Sequence, residues 1–231
     1  MKKKIINKIK SIKWAQHLKS RRLFLSSVFS KYAEFTMVQE ELYINNLLLA
    51  EKFAYLKGDI VECGVWRGGM IAGIAEVMGK ERNYFLFDSF QGLPSAREID
   101  GESALQWQTN THGDFYFNNC SAEVSFAETA MKKTGVAYKC IPGWFEETVP
   151  VFNNANPIAL LRLDGDWYDS TLICLKYLFP KVVKGGIIII DDYYTWDGCC
   201  RAVHDYLSQT KSASRIYATE KNVCYILKME E

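Results

Sequence analysis

The sequence predicts an α/β fold in which helices cover both faces of a mostly parallel, seven-stranded sheet. The chain has 231 residues, 48% of them apolar, which suits one domain with a full hydrophobic core. Short β-rich runs alternate with amphipathic stretches, which is the pattern of βαβ units. Two of these runs, LLRL and IIII, are apolar without alternation, as is typical of central strands buried on both faces.

Each predicted element follows from a local pattern. Residues 20–56 read as helical because apolar positions between Leu42 and Phe53 recur at helical spacing, and Gly58 ends this region. Strands are predicted over residues 59–63, 83–87, 136–141, 158–163, 187–190, 215–218 and 223–227. Helices are predicted over residues 70–78, 122–133, 144–149, 170–178 and 198–207.

The chain divides into two regions. Residues 1–57 are predicted to form an N-terminal helical region that serves as a cap or an oligomer interface, so a homo-oligomer is possible. Residues 58–231 form the main domain. Within it, the polar segment 89–120, which contains His112, is too long for an ordinary connection and is predicted to be a lid or substrate segment.

Composition excludes several classes of partner. The 28 basic and 27 acidic side chains give a net charge of +1, whereas a duplex-binding protein is usually strongly basic, so we expect no nucleic-acid partner. The seven cysteines form no CxxC pair, and buried thiols in a reducing cytoplasm are the expected state. No apolar run approaches the ~20 residues that a membrane-spanning helix requires, so no stable membrane insertion is expected.

The first 14 residues, MKKKIINKIKSIKW, are basic but lack the apolar core of a secretory signal. Isoleucines and Trp14 alternate with lysines, which allows a short helix on a membrane surface. Between this and a solvated terminal helix packed on its own domain or on a partner subunit, we expect the latter.

Two features at predicted strand ends indicate a nucleoside ligand, because open α/β sheets bind ligands at the carboxyl ends of their strands. The turn after the first strand is ECGVWRGG, in which Trp66 replaces the second glycine of the dinucleotide fingerprint. Asp88 ends the second strand, 24 residues after Gly64, where a carboxylate can accept hydrogen bonds from ribose hydroxyls. A structural turn aspartate is the alternative interpretation of Asp88 alone.

Carboxylates follow two further strands. Asp164 and Asp166 close the LLRL strand, and Asp191 and Asp192 close the IIII strand. Like charges gathered at one edge of a sheet are unfavourable unless a cation or a proton compensates them. Oxygen ligands suit Mg²⁺ or another hard divalent ion, so the sequence predicts a metal site here. Separately solvated surface carboxylates are the alternative.

Five segments resemble the macrocin O-methyltransferase family, in the order in which that family carries them: VECGVWRGG, FDSFQGLP, LLRLDGDWYDST, FPKVVKGG and IIIIDDYYTW. The resemblance covers about residues 58–207. It implies a Rossmann-like class I methyltransferase fold, S-adenosylmethionine as methyl donor and a requirement for Mg²⁺. It also implies a small-molecule acceptor, namely a sugar hydroxyl of a glycosylated natural product.

The resemblance also assigns residues. It implies metal binding by Asp164, Asp191 and Asp192, and a general base at Asp166, so the predicted catalytic residues are Asp166 and Asp164. The predicted cofactor contacts are the matching positions and their neighbours, namely Glu62, Gly64, Val65, Trp66, Asp88 and Ser89.

In the mechanism that these predictions suggest, a vicinal diol of the acceptor chelates the metal and Asp166 takes the hydroxyl proton. Two alternatives belong to other classes. A nicotinamide-dependent oxidoreductase on a similar sheet conflicts with Trp66 in the glycine turn, and a catalytically inactive binding protein conflicts with the intact acidic cluster. The sequence leaves open whether the acceptor is a deoxysugar of a secondary metabolite or a sugar of a surface polysaccharide.

Overall fold

The computed structural model describes residue 16, residues 19–113 and residues 116–230. The basic stretch 1–14, with its expected solvated helix, lies outside the described residues. The predicted helical region that follows it is two helices, α1 (residues 19–32) and α2 (Glu40–Lys52), with a 3₁₀ turn at Ala33–Phe35 between them.

The sheet has seven strands in the order β3-β2-β1-β4-β5-β7-β6. β7 is antiparallel to both β5 and β6, and the other neighbouring pairs are parallel. The strands are β1 (Asp59–Cys63), β2 (Asn83–Asp88), β3 (Ala137–Pro142), β4 (Ile158–Leu163), β5 (Val182–Ile190), β6 (Arg215–Ala218) and β7 (Cys224–Leu227). The predicted mostly parallel, seven-stranded sheet is therefore confirmed.

Helices cover both faces of the sheet, as predicted. They are α3 (Gly69–Met78), α4 (Glu102–Thr109), α5 (Val124–Lys132), α6 (Phe145–Thr148), α7 (Tyr168–Leu178) and α8 (Asp197–Gln209). In the IIII run of β5, Ile187 and Ile189 join the core cluster that includes α1, α2, α3 and α5. Ile188 and Ile190 join the cluster that includes α7 and α8. All four are fully buried, each contributing roughly 1.5–3 kcal/mol of hydrophobic stabilisation.

The N-terminal helices pack against the main domain. Leu25 and Val28 of α1 lie in the same hydrophobic cluster as the sheet. The hydroxyl of Tyr43 in α2 donates a hydrogen bond to the carbonyl oxygen of Gly69 at 2.8 Å. A Cβ on Gly73 of α3 would lie 1.9 Å from that hydroxyl, so the two helices require a glycine there. The role of residues 1–57 as a cap or an oligomer interface stays a prediction.

The segment 89–120 contains more regular structure than its sequence indicated. It holds a 3₁₀ turn at Glu98–Asp100 and the helix α4, neither of which was predicted. Asp100 is buried, and its Oδ1 accepts a hydrogen bond from the backbone N–H of Tyr168 at 2.7 Å. Trp167 Nε1 donates to the carbonyl oxygen of Pro94 at 2.9 Å. These contacts tie the segment to the start of α7, and its movement as a lid stays a prediction.

Among the described residues, no helix combines the length and the apolar character that crossing a bilayer requires.

Candidate active site

A cavity of about 930 Å³ opens at the carboxyl edge of the sheet. Its wall includes parts of α2 and of the segment 89–120, the turns after β1, β2 and β3, and the ends of β4 and β5. Eight of the predicted site residues line it: Gly64, Trp66, Asp88, Ser89, Asp164, Asp166, Asp191 and Asp192. The fold therefore brings eight of the ten predicted site residues to one cavity. Glu62 and Val65 are not among the lining residues.

The turn after β1 is held by the carboxylate of Asp88. Asp88 Oδ2 accepts hydrogen bonds from the backbone N–H groups of Val65 at 2.7 Å and Trp66 at 2.8 Å. Its Oδ1 accepts one from the N–H of Phe90 at 2.7 Å. A carboxylate offers about four acceptor positions, so one remains for a ligand hydroxyl. Burial raises the pKa of Asp88, and the three N–H donors oppose that rise.

Gly64 brings this turn into direct contact with the acidic strand end. Its φ of +85° is in the left-handed region, and a Cβ there would lie 1.6 Å from the carbonyl oxygen of Asp164. The backbone N–H of Asp164 donates to the carbonyl oxygen of Cys63 at 2.8 Å. The turn predicted to hold a cofactor and the strand end predicted to hold a metal are thus joined through their main chains.

Glu62 lies behind the cavity rather than in its wall. Its side chain is 1% exposed, and Oε1 accepts a hydrogen bond from Nη1 of Arg162 at 2.8 Å. Its Oε2 is buried and has no hydrogen-bond partner among the described residues. Burial raises the pKa of Glu62 and the Arg162 guanidinium opposes this. Val65 is a core residue that contributes its N–H to Asp88. Cofactor contact by these two residues stays a prediction.

Arg162, for which no role was predicted, is the central cation of the site. It is fully buried, and Nη1 also donates to Asp164 Oδ2 at 2.7 Å, while Nη2 donates to Asp191 Oδ1 at 2.5 Å. The surrounding carboxylates raise the pKa of Arg162, so it stays charged. A charged residue inside a run buried on both faces must meet opposite charges, and that rule was the signal available in the sequence.

Three carboxylates converge in the cavity. Asp164, Asp166 and Asp192 each place one oxygen within 4.8 Å of the others. Of the predicted ligands, Asp164 and Asp192 therefore come together, but Asp191 turns one oxygen toward Arg162 and Asp166 takes the third place. Metal binding by Asp164, Asp191 and Asp192 stays a prediction.

Asp166 is held in an unusual conformation. Its φ is +57°, which is uncommon for a residue other than glycine. Its backbone N–H donates to Asp192 Oδ2 at 3.0 Å, and its Oδ1 accepts a hydrogen bond from Trp196 Nε1 at 2.8 Å. These two bonds fix the carboxyl group that was predicted to be the general base.

The acidic cluster is under electrostatic strain. Burial and neighbouring carboxylates raise the pKa of Asp164 to about 6 and that of Asp166 to about 7, and raise that of Asp192 as well. A bound dication reverses such shifts because it stabilises every ionised carboxylate beside it. The cluster offers hard oxygen ligands, and nearby positive charge does not balance their negative charge. Such a set of ligands suits Mg²⁺.

Aromatic side chains form the wall beside the cluster. Trp167 and Trp196 lie edge to face with ring centroids 5.3 Å apart, and Trp107 of α4 lies 6.1 Å from each. No role was predicted for Trp107, because α4 was not predicted. His112 is exposed and is not among the cavity-lining residues.

The sheet order, together with the glycine turn at its ligand edge, defines the fold of a class I methyltransferase. Within that class, the chain belongs to the macrocin O-methyltransferase (TylF) family, whose family model matches residues 34–228. The resemblance predicted from the five sequence segments is therefore confirmed. The family is named for an O-methyltransferase, which favours that class over the nicotinamide-dependent oxidoreductases.

Individual relatives agree with this assignment. The chain is 33% identical over 174 residues to demethyldecarbamoylnovobiocin O-methyltransferase of Streptomyces niveus, covering 73% of this chain and 65% of the relative. It is 32% identical over 176 residues to mycinamicin III 3''-O-methyltransferase of Micromonospora griseorubida, covering 73% and 67%. The aligned part is therefore about two thirds of each relative's length. The solved O-methyltransferase NovP superposes with a TM-score of 0.70 at 27% identity, covering 85% of this chain and 83% of NovP.

Proposed function

We propose that this chain transfers the methyl group of S-adenosylmethionine to a hydroxyl of a sugar or a glycosylated natural product. One observation carries the proposal: the glycine turn and the acidic cluster share one cavity and touch through Gly64 and Asp164. Methyl transfer needs donor and acceptor at near-contact distance, and such positioning contributes several kcal/mol. The named activities of the relatives support the same class of reaction.

The residues in the cavity wall suit the donor. Asp88 has one acceptor position left for a ribose hydroxyl, and the buried Trp66 indole N–H has no hydrogen-bond partner among the described residues. Gly64 and Ser89 complete this side of the wall. When bound, S-adenosylmethionine supplies an electrophilic methyl group. Glu62 and Val65 support the site from behind, through Arg162 and through Asp88.

The acidic cluster suits Mg²⁺ or another hard divalent ion. Asp164 and Asp192 would hold it, with either Asp166 or Asp191 as a further ligand. When bound, such an ion lowers the pKa of a hydroxyl that it contacts. Asp191 and Asp164 each give one oxygen to Arg162, which fixes both carboxylates before anything binds.

Asp166 is the residue we propose as general base. Its carboxyl group lies in the cavity within the acidic cluster, beside the carboxylates that would hold the ion, where it can accept the proton of a hydroxyl bound there. The hydrogen bond from Trp196 orients the carboxyl group and stabilises its ionised form.

The aromatic wall suits a sugar. Indole rings pack well against the carbon-bearing face of a pyranose, and the half-buried Trp107 and Trp196 lie beside the acidic cluster, with the buried Trp167 packed against both. We place the reaction in the cytoplasm, since all seven cysteines are free thiols in the structure.

The proposal is tested by a methyl-transfer screen. Full-length protein is incubated with deuterium-labelled S-adenosylmethionine and glycosides bearing vicinal diols, with Mg²⁺ or with EDTA, and products are detected by mass spectrometry. We expect labelled product with Mg²⁺ and at least a hundredfold less with EDTA or with Asp164→Asn. The exposed substitution Glu220→Gln is the matched control and keeps full activity.

Two results would overturn the proposal. Full activity of Asp164→Asn on the best acceptor removes the acidic cluster from the reaction. Calorimetric titration that detects NAD binding but no S-adenosylmethionine binding would favour the oxidoreductase alternative.

A further inference from the structure

Charge is divided very unevenly along this chain. Residues 1–33 contain ten lysines and arginines and no acidic residue, the first carboxylate being Glu34. The remaining 198 residues carry 18 basic and 27 acidic side chains, a net charge of −9. A net charge of +1 for the whole chain conceals this division. Arg21, Arg22 and Lys31 pair with Glu51, Glu41 and Glu76 of the rest of the chain. The other seven basic side chains, all within residues 1–19, make the N-terminal segment complementary to an anionic surface.

The basic segment is also apolar at intervals. Ile5, Ile6, Ile9, Ile12 and Trp14 stand among the lysines of the stretch that lies outside the described residues. The described helix α1 continues the same composition, since Leu23 and Phe24 are 63% and 41% exposed. Both lie next to Arg22 on the solvent side of a helix whose other side is buried at Leu25 and Val28.

Fixed contacts hold this side of α1 in place. Arg21 forms an ion pair with Glu51 of α2 at 2.6 Å, and its guanidinium lies 4.5 Å from the ring centroid of Phe24. The exposed apolar pair is therefore a fixed surface rather than a fraying end. Large apolar side chains add nothing to phosphate binding in a nucleic acid, but they insert between lipid headgroups.

Against the expectation of a solvated terminal helix, we propose that residues 1–33 attach this protein peripherally to an anionic lipid bilayer, through the basic side chains of residues 1–19 and the exposed Leu23 and Phe24. Basic residues near an anionic surface act together with buried apolar side chains, and neither alone gives stable binding. The arrangement is peripheral and requires no spanning helix. It is independent of the proposed reaction, because it rests on charge and exposure outside the cavity.

The surface leads directly to the active-site cavity. After α1 and the 3₁₀ turn Ala33–Phe35, the chain enters residues 37–39 and Leu42, which line the cavity. Met37 among them is 37% exposed. The proposed attachment segment therefore precedes one wall of the cavity directly along the chain.

Vesicle flotation of the full chain tests the proposal. We expect binding to vesicles of phosphatidylcholine with about one third phosphatidylglycerol, little binding to phosphatidylcholine alone, and loss of binding in 0.5 M salt. Each basic residue near the surface contributes about fivefold in partitioning. The triple variant Lys4→Gln, Lys8→Gln, Lys10→Gln is therefore expected to bind about 100-fold more weakly.

A matched triple variant controls for net charge. Lys57→Gln, Lys132→Gln, Lys211→Gln removes the same number of exposed positive charges elsewhere and is expected to bind like the wild type. Leu23→Ser with Phe24→Ser is expected to weaken binding at least tenfold, while circular dichroism stays unchanged because both side chains are exposed. Equal binding by the two triple variants would overturn the proposal. Absence of vesicle binding together with tight binding of a single-stranded RNA oligonucleotide would also overturn the proposal and would indicate a nucleic acid as the partner.

Discussion

Replacing Arg162 by methionine is the most direct perturbation of the site. The guanidinium is fully buried and donates hydrogen bonds to Glu62, Asp164 and Asp191. Methionine fills a similar volume but leaves Glu62, which is 1% exposed, without a counter-charge. Removal of one partner from a buried ion pair lowers the free energy of unfolding by about 3–5 kcal/mol, and we expect a loss of that size at neutral pH.

The loss should depend on pH in a defined direction. Burial already raises the pKa of Glu62 and of Asp164 above their unfolded values, and removal of Arg162 raises both further. Groups whose folded pKa is raised favour the folded state below the unfolded pKa, and this contribution is lost as the pH rises through the folded pKa. The difference between variant and wild type should therefore be larger at pH 8 than at pH 5.5.

Urea denaturation followed by circular dichroism at both pH values measures this difference. Arg97→Met is the matched control, because the Arg97 guanidinium also pairs with a carboxylate, that of Asp169, but both side chains are more than half exposed. An exposed pair contributes about 0–1 kcal/mol. A loss below 1 kcal/mol for Arg162→Met, or a difference that shrinks as the pH rises, would refute the view of Arg162 as the internal counter-charge.

Three further predictions follow from contacts at the same edge of the sheet. Gly64→Ala should lower the free energy of unfolding by more than 3 kcal/mol, whereas Gly79→Ala, with a similar φ of +86° but no atom within 4 Å, should lose only the backbone cost of about 1–3 kcal/mol. Thermal denaturation compares the two, and equal losses would contradict the clash with Asp164. Trp196→Phe keeps an aromatic ring in the cavity wall but loses the hydrogen bond to Asp166 Oδ1, so kcat should fall about 10–100-fold while KM changes severalfold at most; a change confined to KM in steady-state kinetics argues against Trp196 as the residue that orients the base. The affinity for Mg²⁺ should fall more than tenfold from pH 8 to pH 5.5, since protons compete for carboxylates whose pKa values are about 6 and 7; calorimetric titration that gives equal affinities at both pH values would exclude these carboxylates as ligands.

The strands of the sheet could be predicted from the sequence because the pattern that indicates a strand is local. The IIII run reports burial on both faces without any knowledge of its neighbours, and the strand-end rule then gathers Asp164, Asp191 and Asp192 at one edge. The helix α4 was missed because its eight residues carry little apolar periodicity, and Ala104 alone among them is buried.

The orientation of the site side chains could not be predicted from the sequence, because it depends on contacts between residues that are distant along the chain. Arg162 meets Glu62 across 100 positions, and Asp88 turns toward an N–H group 22 positions earlier. The exchange of Asp191 for Asp166 beside Asp164 has the same origin. All four aspartates follow strands, but only packing decides which of them faces Arg162 and which faces the cavity.

The main-chain contact between Gly64 and Asp164 has a consequence for how such a protein diversifies. Because the glycine turn and the acidic strand end are spaced by backbone atoms, substitutions in the surrounding loops leave that spacing unchanged. The segment 89–120 is attached to the same edge through side-chain contacts, among them those of Asp100 and Trp167. Under the proposed function, substitutions within this one segment can change acceptor specificity while the distance between the glycine turn and the acidic cluster stays constant.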